Sequence, residues 1–229
     1  MIRVILFDID GTLVDCRGAG RLAMERAWLE IYGIADAARG MKFGGRTDEF
    51  LFSELYRIHK VPVDATRHEQ FIAVFIHLLH HYLAQTDGSL LPGVCGLLRR
   101  LREEMPGVVL GLLTGNARLA AELKLRCFDL WGFFAVGAFG DDHHCRNRLA
   151  EIALDRSERY LGRELEGREV LVVGDTLHDV RCAHSIGASC LAVGTGSVSW
   201  DQLREANAER VVRDLTEVKG CDLLGEMSA

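Results

Sequence analysis

Lysine is scarce in this chain. Its 229 residues hold only Lys42, Lys60, Lys124 and Lys219, so most of the positive charge is arginine. Basic residues number 27 against 33 acidic ones, a formal charge of −6. That balance argues against a general nucleic-acid binder, whose footprint is usually basic. Long apolar runs are missing too. Stretches such as 108–113 fall far short of the roughly 20 residues a membrane helix needs. The N-terminus runs from Arg3 through a short apolar segment straight into acids, without a signal-peptide pattern. The seven cysteines (Cys16, Cys95, Cys127, Cys145, Cys182, Cys190 and Cys221) include no CxxC pair. An odd, irregularly spaced set suits reduced thiols and a cytoplasmic location better than a disulfide framework or a structural zinc. His77, His80 and His81 form no HExxH site and read as helix surface. Gly194-Thr195-Gly196 is a strand-end turn, not a GxGxxG fingerprint, and no GxxxxGK loop occurs.

What is present is a globular composition, 48% hydrophobic and 26% charged. A chain of this length forms one large domain or one domain with an insert. It buries roughly 70% of its unfolded surface, so it folds without disulfide or zinc staples. Short continuous apolar runs recur, as expected of strands buried on both faces. Val4 to Phe7 ends at Asp8, and Val108 to Leu113 ends at Thr114. Phe134 to Phe139 ends at Gly140, Val170 to Val173 at Gly174, and Cys190 to Val193 at Gly194. Arg210 to Val212 is a weaker sixth run. Helical patterns separate them, following Pro92-Gly93, Asn116 and Arg146. Alternating strand and helix predicts an α/β fold with a Rossmann-like parallel sheet core. Ligands bind such sheets outside the carboxyl ends of the strands, where the polar residues cluster here.

One interval breaks the alternation. Between Cys16 and Gln85 no buried strand is visible. Helical spacing covers 19–32, 47–59, with Thr47 as the cap, and 64–83. The reading is an all-helical domain at 16–86 inserted into an α/β core formed by 1–15 and 87–229. Gly18-Ala19-Gly20 and Asp87-Gly88-Ser89 are its expected hinges.

Three segments carry chemistry. Asp8-Ile9-Asp10-Gly11-Thr12 follows the first strand, and two such carboxylates facing one cavity need a cation or a shared proton. An acidic turn bent at Gly11 is the alternative reading of that segment alone. Gly174-Asp175-Thr176-Leu177-His178-Asp179 follows another strand, and with the first pair it makes an oxygen-rich site suited to magnesium. By itself it also reads as a loop with a helix cap. Thr114-Gly115-Asn116 offers a hydroxyl and backbone N–H groups at a helix start, a ready anion site, though an ordinary N-cap serves as well.

Together the DxDGT, Thr-Gly-Asn and GDTxxD motifs resemble the haloacid dehalogenase-like hydrolase superfamily over nearly the whole chain. The insert resembles the helical cap of the subgroup that includes phosphoglycolate phosphatases and β-phosphoglucomutases. The resemblance implies that Asp8 attacks phosphorus to give an aspartyl-phosphate. Asp10 would protonate the leaving oxygen and then activate water. Mg2+ would be held by the side chains of Asp8 and Asp175 and the carbonyl of Asp10, with Asp179 in support. Thr114, with Gly115 or Asn116, would bind the transferring phosphoryl group. Asp10 points to phosphorus chemistry, since relatives that displace halide lack it.

The pattern departs from the family at one place. A lysine is expected about 20 to 30 residues before GDTxxD, within the reach of one αβ unit. None lies between Lys124 and Lys219. Arg146 is the expected substitute cation, and Arg148 reads as a solvated helix residue. Gly44-Gly45-Arg46-Thr47-Asp48 resembles a cap segment of phosphatases in this subgroup, so Arg46 and Thr47 are candidate substrate contacts; a solvated arginine and a helix cap are the alternative. Lys42 and Lys60 read as surface residues, not as the Schiff-base lysine of phosphonate-cleaving relatives. The expected activity is a magnesium-dependent phosphatase acting on a small phosphorylated metabolite, phosphoglycolate-like first. The alternatives are a phosphosugar mutase or, further off, a phosphonate-cleaving enzyme or a phosphate-binding module without catalysis. The expected state is a monomer or homodimer without a nucleic-acid or membrane partner.

Overall fold

A computed structural model describes residues 1–219, so Cys221 and the end of the expected core segment lie outside the described residues. The chain opens with β1 (Val4–Phe7), whose four residues are all buried. A short β2 (Val14–Asp15) follows, then three helices, α1 (Ala19–Tyr32), α2 (Asp48–His59) and α3 (Ala65–Leu83). The chain returns through β3 (Ser89–Leu90), then α4 (Val94–Glu104), β4 (Val109–Leu113), α5 (Arg118–Arg126) and β5 (Val136–Ala138). Among the described residues there follow α6 (Arg146–Leu161), β6 (Val170–Gly174), α7 (Leu177–Ser185), β7 (Ser189–Val193), α8 (Trp200–Arg204) and β8 (Arg210–Val212).

Six strands form one parallel sheet in the order β5-β4-β1-β6-β7-β8. Each apolar run of the sequence supplies one of them. The runs lack alternation because both faces are covered, but the pleat still sorts the side chains. Ile5, Phe7, Leu110, Leu112, Leu171 and Val173 enter one core, closed by Leu97, Leu98 and Leu101 of α4 and Ala121 and Leu125 of α5. Val4, Leu6, Val170, Val172, Cys190 and Ala192 enter the other, closed by Leu149 and Ala153 of α6 and Val180 and Ala183 of α7. The strand order turns around β1, which pairs Val4 with both Val109 and Val170. The loops after β1, β4 and β6 therefore meet at one crevice, as in other open α/β sheets.

The interval between β2 and β3 contains helices and no strand of the main sheet. Thr47 caps α2 by accepting from the Phe50 N–H at 3.1 Å, and Asp64 caps α3 by accepting from the Arg67 N–H at 2.8 Å. Trp28, Phe52, Phe71 and Phe75 pack between these helices with edge-to-face rings, as aromatic quadrupoles favour. The chain leaves and re-enters through a two-stranded antiparallel ladder, Val14 opposite Leu90 and Asp15 opposite Ser89. Two-residue strands carry no periodic signal, so this ladder is invisible in the sequence.

Candidate active site

Asp8 sits just past β1, its N–H bonded to the Val173 carbonyl at 2.9 Å. Asp175 sits just past β6, and Asp179 lies in the first turn of α7. Ligand oxygens of these three buried carboxylates lie within 4.8 Å of one another. Arg146, the first residue of α6, reaches into the group. Its Nη2 donates to Asp179 Oδ1 at 2.5 Å, lies 3.1 Å from Asp8 Oδ1, and donates to the Leu113 carbonyl at 3.2 Å. The expected substitute cation therefore touches the expected nucleophile. Arg148, by contrast, is exposed and pairs with Glu151 on the helix surface.

Three carboxylates facing one guanidinium leave two negative charges when all are ionised. Burial pushes the Asp8 and Asp175 carboxyls well above the ordinary range, and the neighbouring acids add to it. Glycine backbone walls the far side. A Cβ on Gly11 would lie 2.6 Å from Asp175 Oδ2, and one on Gly196 only 1.6 Å. Hard oxygen donors, a tight cradle and two uncompensated negative charges fit a divalent cation such as magnesium. Asp179 is the least available of the three. Its Oδ2 accepts from the Thr176 N–H at 2.9 Å and hydroxyl at 2.6 Å, which leaves it a supporting position.

Asp10 points elsewhere. Its side chain is 47% exposed and stands outside the metal-sized group, so any contribution there would come from its backbone carbonyl. The carboxylate accepts from Lys124 Nζ at 2.8 and 2.6 Å and from Asn116 Nδ2 at 2.7 Å. Lys124 is buried on α5 and is the residue the sequence reasoning missed. Asp48 was missed as well. It is a buried acid in the first turn of α2, its N–H donates to the Gly115 carbonyl at 2.7 Å, and its Oδ2 accepts from the Ala117 N–H at 2.8 Å. Burial pushes Asp48 up to about 6, with Lys124 acting against that rise.

The Thr114-Gly115-Asn116 loop follows β4. Thr114 is fully buried, and its Oγ1 accepts from Asn116 Nδ2 at 2.9 Å, which leaves its own O–H to donate. Asn116 is occupied on both ends, since its Oδ1 accepts from Lys124 at 2.6 Å. A Cβ on Gly115 would meet the Arg46 carbonyl at 2.0 Å, so the 44–48 segment lies directly on this loop. Thr47 is buried there, and its hydroxyl donates to the His144 carbonyl at 3.1 Å while capping α2. Its hydroxyl is thus engaged with protein on both counts. Arg46 remains exposed, its guanidinium 4.3 Å from the Phe50 ring centre.

A cavity of about 290 Å³ opens between these segments, lined by Arg46, Phe50, His144, Arg146, His178 and Arg181 among others. Burial, with Arg146 and Arg46 nearby, holds His178 below the ordinary imidazole range. Arg46 and Arg181 add positive charge at this mouth, whereas Arg146 is already outweighed by the carboxylates behind it. His77, His80 and His81 are exposed on α3, as are Lys42 and Lys60 at the surface. No helix among the described residues is long and apolar enough to cross a membrane.

Known proteins resemble this chain over most of its length. The chain is 28% identical over 222 residues to "Probable phosphatase IndB" of Dickeya dadantii, covering 95% of this chain and 92% of that protein. It is 29% identical over 203 residues to a phosphoglycolate phosphatase of Yersinia pseudotuberculosis, covering 85% and 82%. A crystal structure of a hydrolase from Pseudomonas syringae superposes with a TM-score of 0.73 at 22% identity, over 99% of this chain and 100% of that one, which shows the shared fold. Residues 2–187 match the model of the haloacid dehalogenase-like hydrolases, and the chain belongs to that family.

Proposed function

We propose that this protein is a magnesium-dependent phosphatase that hydrolyses a small phosphomonoester through an aspartyl-phosphate on Asp8. One observation carries the reading: Asp8 lies in a buried, under-neutralised carboxylate group against Arg146, while Asp10, two residues on, is held outside that group with an exposed face. One carboxylate is set to attack and the other to move protons.

Asp8 attacks phosphorus, and the bond to the leaving oxygen breaks as Asp10 gives that oxygen a proton. Asp10 then takes a proton from water, which attacks the acyl-phosphate and releases orthophosphate. Arg146 keeps Asp8 oriented and places positive charge beside the developing phosphoryl charge. The Thr114 hydroxyl and the Gly115 N–H are the donors positioned for the phosphoryl oxygens. Asp8 and Asp175, with the Asp10 carbonyl, would hold the magnesium, and Asp179 would support them. When bound, the ion would neutralise the carboxylates and polarise the phosphoryl oxygens.

The helical interval 16–86 acts in this reading as a cap whose 44–48 segment covers the Thr114 loop. Arg46 and Arg181 at the cavity mouth would favour a substrate with a second anionic group, as in phosphoglycolate. The name of the Yersinia relative supports that class.

The test is orthophosphate release from a panel of small phosphomonoesters, with magnesium and with chelator, using Asp8→Asn as the blank. Magnesium-dependent release absent in the variant is expected, strongest for esters that carry a carboxylate. Isomerisation of a phosphosugar without net phosphate release would assign a mutase instead. Silence across the panel would remove the phosphatase reading.

A further inference from the structure

Lys124 is a buried cation that the proposed chemistry has not used. Its side chain is 7% exposed and its ammonium lies behind the Asp10 carboxylate, touching both oxygens. Asn116 bridges the pair, donating to Asp10 and accepting from Lys124. The first turn of α1 roofs the amine, since a Cβ on Gly20 would lie 3.7 Å from Lys124 Nζ. Just before the start of α5, the Ala117 N–H is held by Asp48 from α2. A surface lysine would cost nothing here, whereas burial works against this charge and Asp10 offsets it. The arrangement fixes a carboxylate from behind and leaves its other side open.

We propose that Lys124, with Asn116, is a positioning residue for Asp10: it fixes the carboxylate so that its open side meets the leaving-group oxygen and later the attacking water. Lys124 touches neither substrate nor phosphorus in this role. The proposal rests on the phosphatase reading and deepens it. Its consequence is selective. An alkyl leaving group needs the proton that Asp10 delivers, whereas p-nitrophenolate leaves with little help. Loss of Lys124 should therefore damage turnover in proportion to the basicity of the leaving group. A lysine that merely supported the fold would affect all esters alike.

The experiment measures kcat and KM for p-nitrophenyl phosphate and for 2-phosphoglycolate in wild type, Lys124→Met, Asp10→Asn and the double variant. Lys124→Met is expected to lower kcat on the alkyl ester about 30-fold and on the aryl ester less than about threefold, with KM nearly unchanged. In the Asp10→Asn background the same change should alter kcat less than about twofold, because nothing remains to position. Equal losses on the two esters, or a full additional loss in the Asp10→Asn background, would overturn the proposal. If Lys124→Met loses its cooperative unfolding transition, Lys124→Arg decides, since it keeps the charge and displaces the carboxylate. It should show the same ester-dependent loss, and a uniform loss would overturn the idea. A wild type silent on both esters overturns the phosphatase reading and this proposal with it. An active wild type with uniform losses in the variants overturns this proposal alone.

Discussion

Asp8 and Asp10 are two residues apart, yet the fold treats them in opposite ways. Asp8 is buried against Asp175 and Asp179, with one arginine paired to two of the three acids. Asp10 is half exposed and is met by a lysine and an amide. The first environment stores unbalanced negative charge, and the second is close to neutral. The contrast shows how one short motif can supply two carboxylates with different tasks. The partners that separate them come from α5 and α6, more than a hundred residues along the chain.

The largest expected effect comes from breaking the Asp8 side. Asp8→Asn should cost about 1,000-fold or more in turnover with the fold intact, read by phosphate release and thermal unfolding. Substantial remaining activity would remove Asp8 as the nucleophile. Arg146→Ala comes next, at about 100-fold in kcat, with about 3 kcal/mol of stability lost because two buried carboxylates lose their partner. Arg148→Ala should be nearly silent in both assays, since its pair with Glu151 is solvated. The reverse order would reassign the cation.

A pH series without metal sharpens the same contrast. Asp8, Asp48 and Asp175 are all raised in the folded protein, above the ordinary carboxylate value near 4 that they regain on unfolding. Raised acids contribute most to stability when protonated and lose that contribution as pH rises through their folded values. In chelator, the unfolding temperature should therefore fall between about pH 5 and pH 8, passing through the value of about 6 held by Asp48. Magnesium should flatten that fall. A metal-free unfolding temperature that climbs across this window would contradict the charge imbalance. The smallest effect is expected at the contact between α2 and the Thr114 loop. Asp48→Ala should cost about 1 kcal/mol and raise hydrogen exchange near Gly18 and Gly88. Unchanged exchange there would detach the 44–48 contact from the hinges.

The sheet was legible because each parallel strand is buried on both faces, so Val4 to Phe7 and Val170 to Val173 stand out as unbroken apolar runs. The start of α2 was legible at its cap, Thr47. The motifs located the loops, and an arginine at position 146 could be inferred from a missing lysine. Lys124 could not, because its partner Asp10 lies 114 positions away and an amphipathic helix with one lysine looks solvated. Scarcity was the one available signal, since a chain with four lysines has few to spare. Asp48 hid for a similar reason. An acid in the first turn of a helix already has a local explanation.

The β2–β3 ladder has a consequence for engineering. Asp15 and Ser89 face each other across one strand spacing, about 5 Å. The two ends of the helical interval are therefore neighbours, so a segment whose ends meet at that distance would keep the connection to the six-stranded sheet, provided it also supplies the contacts that Arg46 and Asp48 make with the Thr114 loop. A chimaera library joined at these two residues could select for new substrates while every residue of the phosphoryl-transfer loops stays as it is.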